Sequence, residues 1–161
     1  MMESLSMSAP PPFERFYADH REAVFAYLTR LVGPGPAEDA FQETFLRALR
    51  AYGGLRHAEH LRAWVFTIAT RVAADEHRRR RAGWHSADVP DIETVDERPG
   101  YEDLSELTRP LPPKERAAVV LRYGYDFDYE QIGAALGSSP EAARQAASSG
   151  VRRLRRKEDR P

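Results

Sequence analysis

The chain has no cysteine, which excludes disulfides and thiolate metal sites. It has no apolar run near the ~20 residues that a membrane-spanning helix needs, so no membrane insertion is expected. Its opening residues, MMESLSMSAPPPFER, lack the basic start and the apolar stretch of a secretory signal. A cytoplasmic protein is expected. Net charge is only -1 at pH 7, so the whole-chain charge announces no nucleic-acid partner. Strand-like alternation longer than a few residues is missing, and so is any internal repeat. Catalytic constellations are missing too. His20, His57, His60, His77 and His85 are scattered. His57 and His60 stand three apart without a carboxylate pair to complete a metal site. Ser148-Ser149 has no base signature nearby, and Gly33-Pro34-Gly35-Pro36 is not followed by the G-K-[ST] of a phosphate loop. No enzyme activity, no cofactor and no metal is expected.

What is present is charge segregation and helical periodicity. The 161 residues are 42% hydrophobic and 30% charged, a balance that suits small helical units. Residues 1–12 read as a disordered lead-in that ends at Pro10-Pro11-Pro12. Apolar residues recur at helical spacing from Phe13 to Leu31, and Gly33-Pro34-Gly35-Pro36 stops that segment. A second segment runs from Ala37 to Ala51, with Ala40, Phe41, Phe45, Leu46 and Leu49 on one side, and ends at Tyr52-Gly53-Gly54. A third runs from Leu61 to Arg81 and closes on Arg78-Arg79-Arg80-Arg81. Together these predict one all-α domain over 13–82. Residues 83–106 are rich in Asp and Glu and broken by Pro90, Pro99 and Gly100. They read as an acidic flexible linker.

A second helical domain is predicted over 107–158. Pro113 or Lys114 opens a helix through Tyr123. Asp128 is an N-cap, and Gln131 three residues on completes a capping box. That helix ends at Leu136, with Gly137 as the left-handed residue past its end. Ser139 caps the last helix, and Pro140 is its first residue. Helix, tight glycine turn and helix form the helix-turn-helix layout. Its second helix offers Glu141, Arg144, Gln145, Ser148 and Ser149 to base edges. Arg144 suits guanine and Gln145 suits adenine. Arg152, Arg153, Arg155, Arg156 and Lys157 suit phosphates. A plain αα-hairpin with a solvated basic tail has the same layout.

Three stretches separate those readings: EDAFQETFLRAL, LRAWVFTIATRVAADEHRRRR and LPPKERAAVVLRYGYDFDYEQIGAALG. In this order and combination the chain resembles the extracytoplasmic-function (group IV) sigma factors of the sigma-70 family, over nearly all of Phe13 to Lys157. The resemblance implies a dissociable subunit of bacterial RNA polymerase built from sigma domain two and sigma domain four. The family's D-x-x-Q-E-x-F patch is here Asp39, Gln42, Glu43 and Phe45, and would hold the clamp helices of core RNA polymerase. Asp39, Gln42 and Glu43 share one helix face and can accept hydrogen bonds from arginines. An ordinary solvated face above a buried Phe41/Phe45 side has the same pattern.

The Leu61–Arg81 helix resembles the promoter-melting element. The resemblance assigns Arg56, His57 and His60 of the preceding loop, with Arg62, Trp64, Arg71, Arg78 and Arg79 of the helix, to the minus-ten element. Trp64 also fits the apolar stripe as a core residue. Arg71 departs from the family, where an asparagine is usual after I-A-R; here the run is Ile68-Ala69-Thr70-Arg71. The helix-turn-helix would read the minus-thirty-five element with Ser139, Glu141, Arg144, Gln145, Ser148, Ser149, Arg152 and Arg153. Its middle, Ala146 to Gly150, is short of large side chains, and Gly150 costs about 1 kcal/mol relative to Ala inside a helix. The expected partners are core RNA polymerase (clamp helices and flap), promoter DNA and an anti-sigma factor. The alternatives are a helix-turn-helix repressor, or a polymerase-binding module that does not read promoters.

Overall fold

A computed structural model describes residues 9–56, 59–81 and 106–158. The residues read as the acidic linker, 83–106, lie outside these except for Glu106. Among the described residues the regular structure is helical, with no strand. The first half holds α1 (Phe13–Val32), α2 (Pro34–Tyr52) and α3 (Leu61–Arg81), each packed on the other two. The second holds α4 (Pro113–Val119), which continues into a wider π-helical turn at Val120–Gly124, then α5 (Tyr129–Leu136) and α6 (Pro140–Glu158).

The start of α2 differs from expectation. Gly33 alone makes the corner, with φ 86°, and the helix begins at Pro34. A proline in the first helical turn has no N–H to lose, and its φ is already helical. Pro34 and Pro36 therefore open the helix instead of delaying it. Leu46 and Leu49 also differ: they are 46% and 53% exposed. The buried side of α2 is Ala37, Ala40, Thr44, Phe45 and Ala48.

The core of the first half is aromatic. Phe16 lies 5.1 Å from Tyr52, 6.1 Å from Phe45 and 5.7 Å from Trp64, ring centre to ring centre. Such tilted and edge-on pairs suit the charge distribution of the rings. Tyr27 is fully buried and lies 2.6 Å from the Thr70 hydroxyl across the α1–α3 contact. Thr70 donates to the Phe66 carbonyl, so Tyr27 is the donor to Thr70. Burial pushes the Tyr27 pKa up, which keeps that proton in place.

In the second half the local signals operate as expected. Asp128 and Gln131 form a reciprocal capping box, and Gly137 is left-handed. The Ala142 N–H donates to the Ser139 hydroxyl oxygen at 3.0 Å. Helix α6 turns Ala143, Ala147 and Gly150 inward, all buried. A Cβ at position 150 would sit 2.7 Å from Val119 Cγ2. The small residues are thus the packing stripe on which α4 and α6 meet. At Gly133, in α5, a Cβ would meet the Ser138 carbonyl oxygen at 2.7 Å.

The two halves share one continuous core. Helix α5 lies along α3. Arg116 of α4 donates to the Leu31 carbonyl at the end of α1 (2.8 Å) and to the Arg109 carbonyl (2.7 Å). His77 Nε2 of α3 donates to the same Leu31 oxygen at 3.1 Å.

The glycine geometry predicts opposite outcomes for two substitutions. Gly133→Ala forces backbone apart and should destabilise the chain by about 1–3 kcal/mol. Gly53→Ala meets nothing within 4 Å and has helical φ -63°, so it should be neutral or mildly stabilising. Urea denaturation midpoints of the two variants decide this.

Candidate functional site

Three exposed surfaces carry the residues singled out in the sequence. On α2, Asp39 and Gln42 are exposed and Glu43 is half-buried. Glu43 accepts from Arg47 Nε at 3.0 Å, and Arg47 Nη2 reaches Asp75 of α3 at 3.1 Å. Arg78 donates to the other Asp75 oxygen. This chain of charges fixes the α2 face against α3. Phe45 is not on that face. It is 6% exposed and packs 4.9 Å from Tyr17 and 5.0 Å from Phe41, supporting the face from beneath. Leu46 and Leu49 complete the exposed strip with Asp39 and Gln42. The spacing 39, 42, 46, 49 is itself helical and was the available signal. Hydrophobic periodicity alone places both leucines in the core and hides it.

The residues assigned to the minus-ten element are scattered. Arg56 is exposed, and His57 lies outside the described residues. His60 is exposed and enters α3 with φ 62°, uncommon for a residue with a Cβ. Trp64 is half-buried, 5.7 Å from Phe16 and 6.3 Å from Tyr52: it belongs to the aromatic core. Arg71 is exposed but stands nine residues from Arg62, on the opposite side of the helix. Arg78 and Arg79 bind Asp75 and Glu76 of their own helix. The Arg62 guanidinium lies over three rings, Phe66, Tyr125 and Phe127, at 5.7, 5.7 and 5.3 Å.

On α6, Ser139, Glu141, Arg144, Gln145, Ser148 and Arg152 are exposed and Ser149 is half-buried. Positions 141, 145, 148 and 152 follow one face, with Arg144 beside it. Arg144 Nη2 holds both Glu141 carboxylate oxygens at 2.5 and 2.6 Å. Arg153 turns the other way and binds Glu115 of α4 at 2.8 Å. The outward face therefore keeps polar side chains while the inward face is small.

Known proteins agree with this layout. Residues 16–83 match the model for Sigma-70 region 2, and residues 109–156 match that for Sigma-70, region 4. The chain belongs to the sigma-70 family, in its ECF branch. It is 35% identical to the RNA polymerase sigma factor CarQ of Myxococcus xanthus, over 96% of this chain and 93% of that protein. It is 33% identical to the probable ECF RNA polymerase sigma factor SigI of Mycobacterium tuberculosis, over 92% of this chain and 56% of that one. Among solved structures, the sigma factor RpoE of Bartonella quintana, crystallised with the anti-sigma factor NepR, superimposes with a TM-score of 0.74 at 25% identity, over 92% of this chain and 98% of that one. Sigma factors are transcription initiation factors and not enzymes. In this sigma factor no described helix is long and apolar enough to cross a membrane.

The ion network between α2 and α3 makes a pH prediction. Burial alone would raise the Asp75 pKa, but hydrogen bonds from Arg78 and Arg47 outweigh it and hold the carboxyl below its ordinary 3.8. The stability this contributes is present above that ordinary value and is lost as pH falls through the lower folded one. Asp75→Asn should therefore be less stable than the parent at pH 7, with the gap narrowing at pH values below 3.8. Urea melts across the acid range measure it.

Proposed function

We propose that the chain binds core RNA polymerase through the exposed strip of α2 and directs it to promoters through two DNA-facing surfaces. The observation that carries this reading is the strip itself: Asp39, Gln42, Leu46 and Leu49 stand exposed on a helix whose opposite side is fully packed. A surface of acceptors and leucines fits a partner helix that brings arginines and apolar side chains. Units 13–82 and 107–158 serve as the clamp- and minus-ten-binding domain and the minus-thirty-five-binding domain. His60 and Arg62, at the start of α3, supply loop geometry and a cation for an opened strand, and Arg71, on the opposite side of the helix, does not share that surface.

For the minus-thirty-five element, Glu141 engages only Nη2 of Arg144. Both bidentate edges of the guanidinium use Nη2, so pairing with the O6 and N7 of guanine requires Arg144 to leave Glu141. Gln145, Ser148 and Arg152 extend that face. The small residues Ala143, Ala147 and Gly150 are accounted for by packing, so they give no reason to set promoter reading aside. The protein works in the cytoplasm, where polymerase and promoters are, and an anti-sigma factor is a fitting regulator, as in the Bartonella relative.

Binding of the purified chain to core RNA polymerase tests this directly. The intact chain should bind tightly, and Gln42→Ala with Glu43→Ala should lose that binding while keeping its helical circular dichroism. Equal binding by the double variant would place the contact elsewhere. In promoter-directed transcription, Arg144→Ala should lower output about tenfold from a promoter with guanine at the contacted position and leave promoters lacking it nearly unchanged.

A further inference from the structure

On the outward face of α6, the arginine assigned to guanine already has a partner. Glu141 stands in the first turn, where the helix dipole favours a carboxylate. Arg144 follows three residues on, so the two side chains are neighbours on the helix surface. Arg144 Nη2 reaches Glu141 Oε1 at 2.5 Å and Oε2 at 2.6 Å, and this hydrogen bonding raises the Arg144 pKa. A guanidinium can hold a pair of acceptors on its Nη1–Nη2 edge or on its Nε–Nη2 edge. Nη2 belongs to both, so one carboxylate on that atom obstructs both at once. Two other arginines of α6 are held differently. Arg153 meets Glu115 through Nε at 2.8 Å, which does not take up its Nη1–Nη2 edge. Arg152 meets the neutral Ser149 hydroxyl at 3.2 Å. Of these three described arginines, Arg144 alone has both edges taken by a charge.

Two partners thus compete for one side chain. The pair is exposed, with 56% of the Arg144 side chain and 62% of the Glu141 side chain accessible. Water and salt weaken such a pair, so it holds Arg144 for part of the time. Guanine offers two acceptors, O6 and N7, and draws the guanidinium away. The apparent affinity for guanine is then lowered by the fraction of helices in which Arg144 is free. Adenine offers the single acceptor N7 beside an amino donor, and gains little from releasing the arginine. We infer that Glu141 is an internal competitor that sets how firmly α6 grips guanine, weakening the Arg144 contact instead of making a base contact of its own. The inference rests on the placement of α6 against promoter DNA. An acid that served the helix end alone would change stability without any base dependence. An acid that merely repelled phosphates would weaken binding to every sequence alike.

Holoenzyme assembled from core polymerase and the full chain, titrated onto a promoter duplex found by transcription, tests this. The contacted guanine is the one whose replacement by adenine the Arg144→Ala holoenzyme tolerates. Glu141→Ala, at an exposed position, should tighten binding to the guanine duplex about three- to fivefold and leave the adenine duplex nearly unchanged. In the Arg144→Ala background the same substitution should no longer favour the guanine duplex. Equal tightening on both duplexes, or tightening that survives the loss of Arg144, overturns the proposal and leaves Glu141 a repelling charge. No tightening on either duplex overturns it as well. Thermal melts by circular dichroism identify a role confined to helix stability, which would lower the melting point of Glu141→Ala with no guanine dependence. If no guanine has the property that defines the contact, the reading of α6 fails and takes the proposal with it. If such a guanine exists and Glu141→Ala has no effect there, the proposal fails alone.

Discussion

The arrangement of this chain depends on how Tyr125 is satisfied. An exposed tyrosine in a loop needs nothing from a distant helix. A buried one needs a partner for its hydroxyl and company for its ring. Arg30 and the Ala23 carbonyl provide the first, and Tyr27 and Phe66 the second. All of these belong to the other half of the molecule. Around that one side chain, α5 comes to lie on α3, Arg62 is pulled over the rings, and Arg116 reaches the end of α1. Two helical units thus become one body with a single core. Arg30, itself only 6% exposed, is placed inside this contact.

The last helix shows how one sequence stretch can serve two demands. Seen as a DNA reader, Ala146 to Gly150 looks impoverished. Seen as half of a helix pair, it is what close approach requires, because Gly150 leaves the space that Val119 fills. A helix has faces, and a run of small residues read along the chain mixes them. Once Ala143, Ala147 and Gly150 are assigned inward, the outward face of Glu141, Arg144, Gln145, Ser148 and Arg152 is an ordinary polar one.

The helices and their ends were legible because their causes are local. The Asp128–Gln131 box, the left-handed Gly137 and the Ser139-Pro140 start each need only neighbours within a turn. The helix-turn-helix followed from them. The start of α2 is not legible because Pro-rich sequence reads as a stop, although proline is at home in a first turn. The exposure of Leu46 and Leu49 is not legible because hydrophobic periodicity does not distinguish a residue that faces its own core from one that faces outward. Phe45 and Trp64 were drawn toward the sites by their neighbours in the motif, while their packing belongs to the aromatic core. The docking of the halves was not legible at all. It depends on pairings such as Arg30 with Tyr125 that lie far apart in the chain and leave no spacing to recognise.

One chain supplies polymerase attachment and promoter choice together. Run-off transcription by core RNA polymerase on genomic fragments, with and without the purified chain, tests it most directly. Discrete start sites should appear only when the chain is present. Transcripts that are the same in both reactions, with the chain bound to duplex DNA by itself, would contradict it and describe a repressor instead.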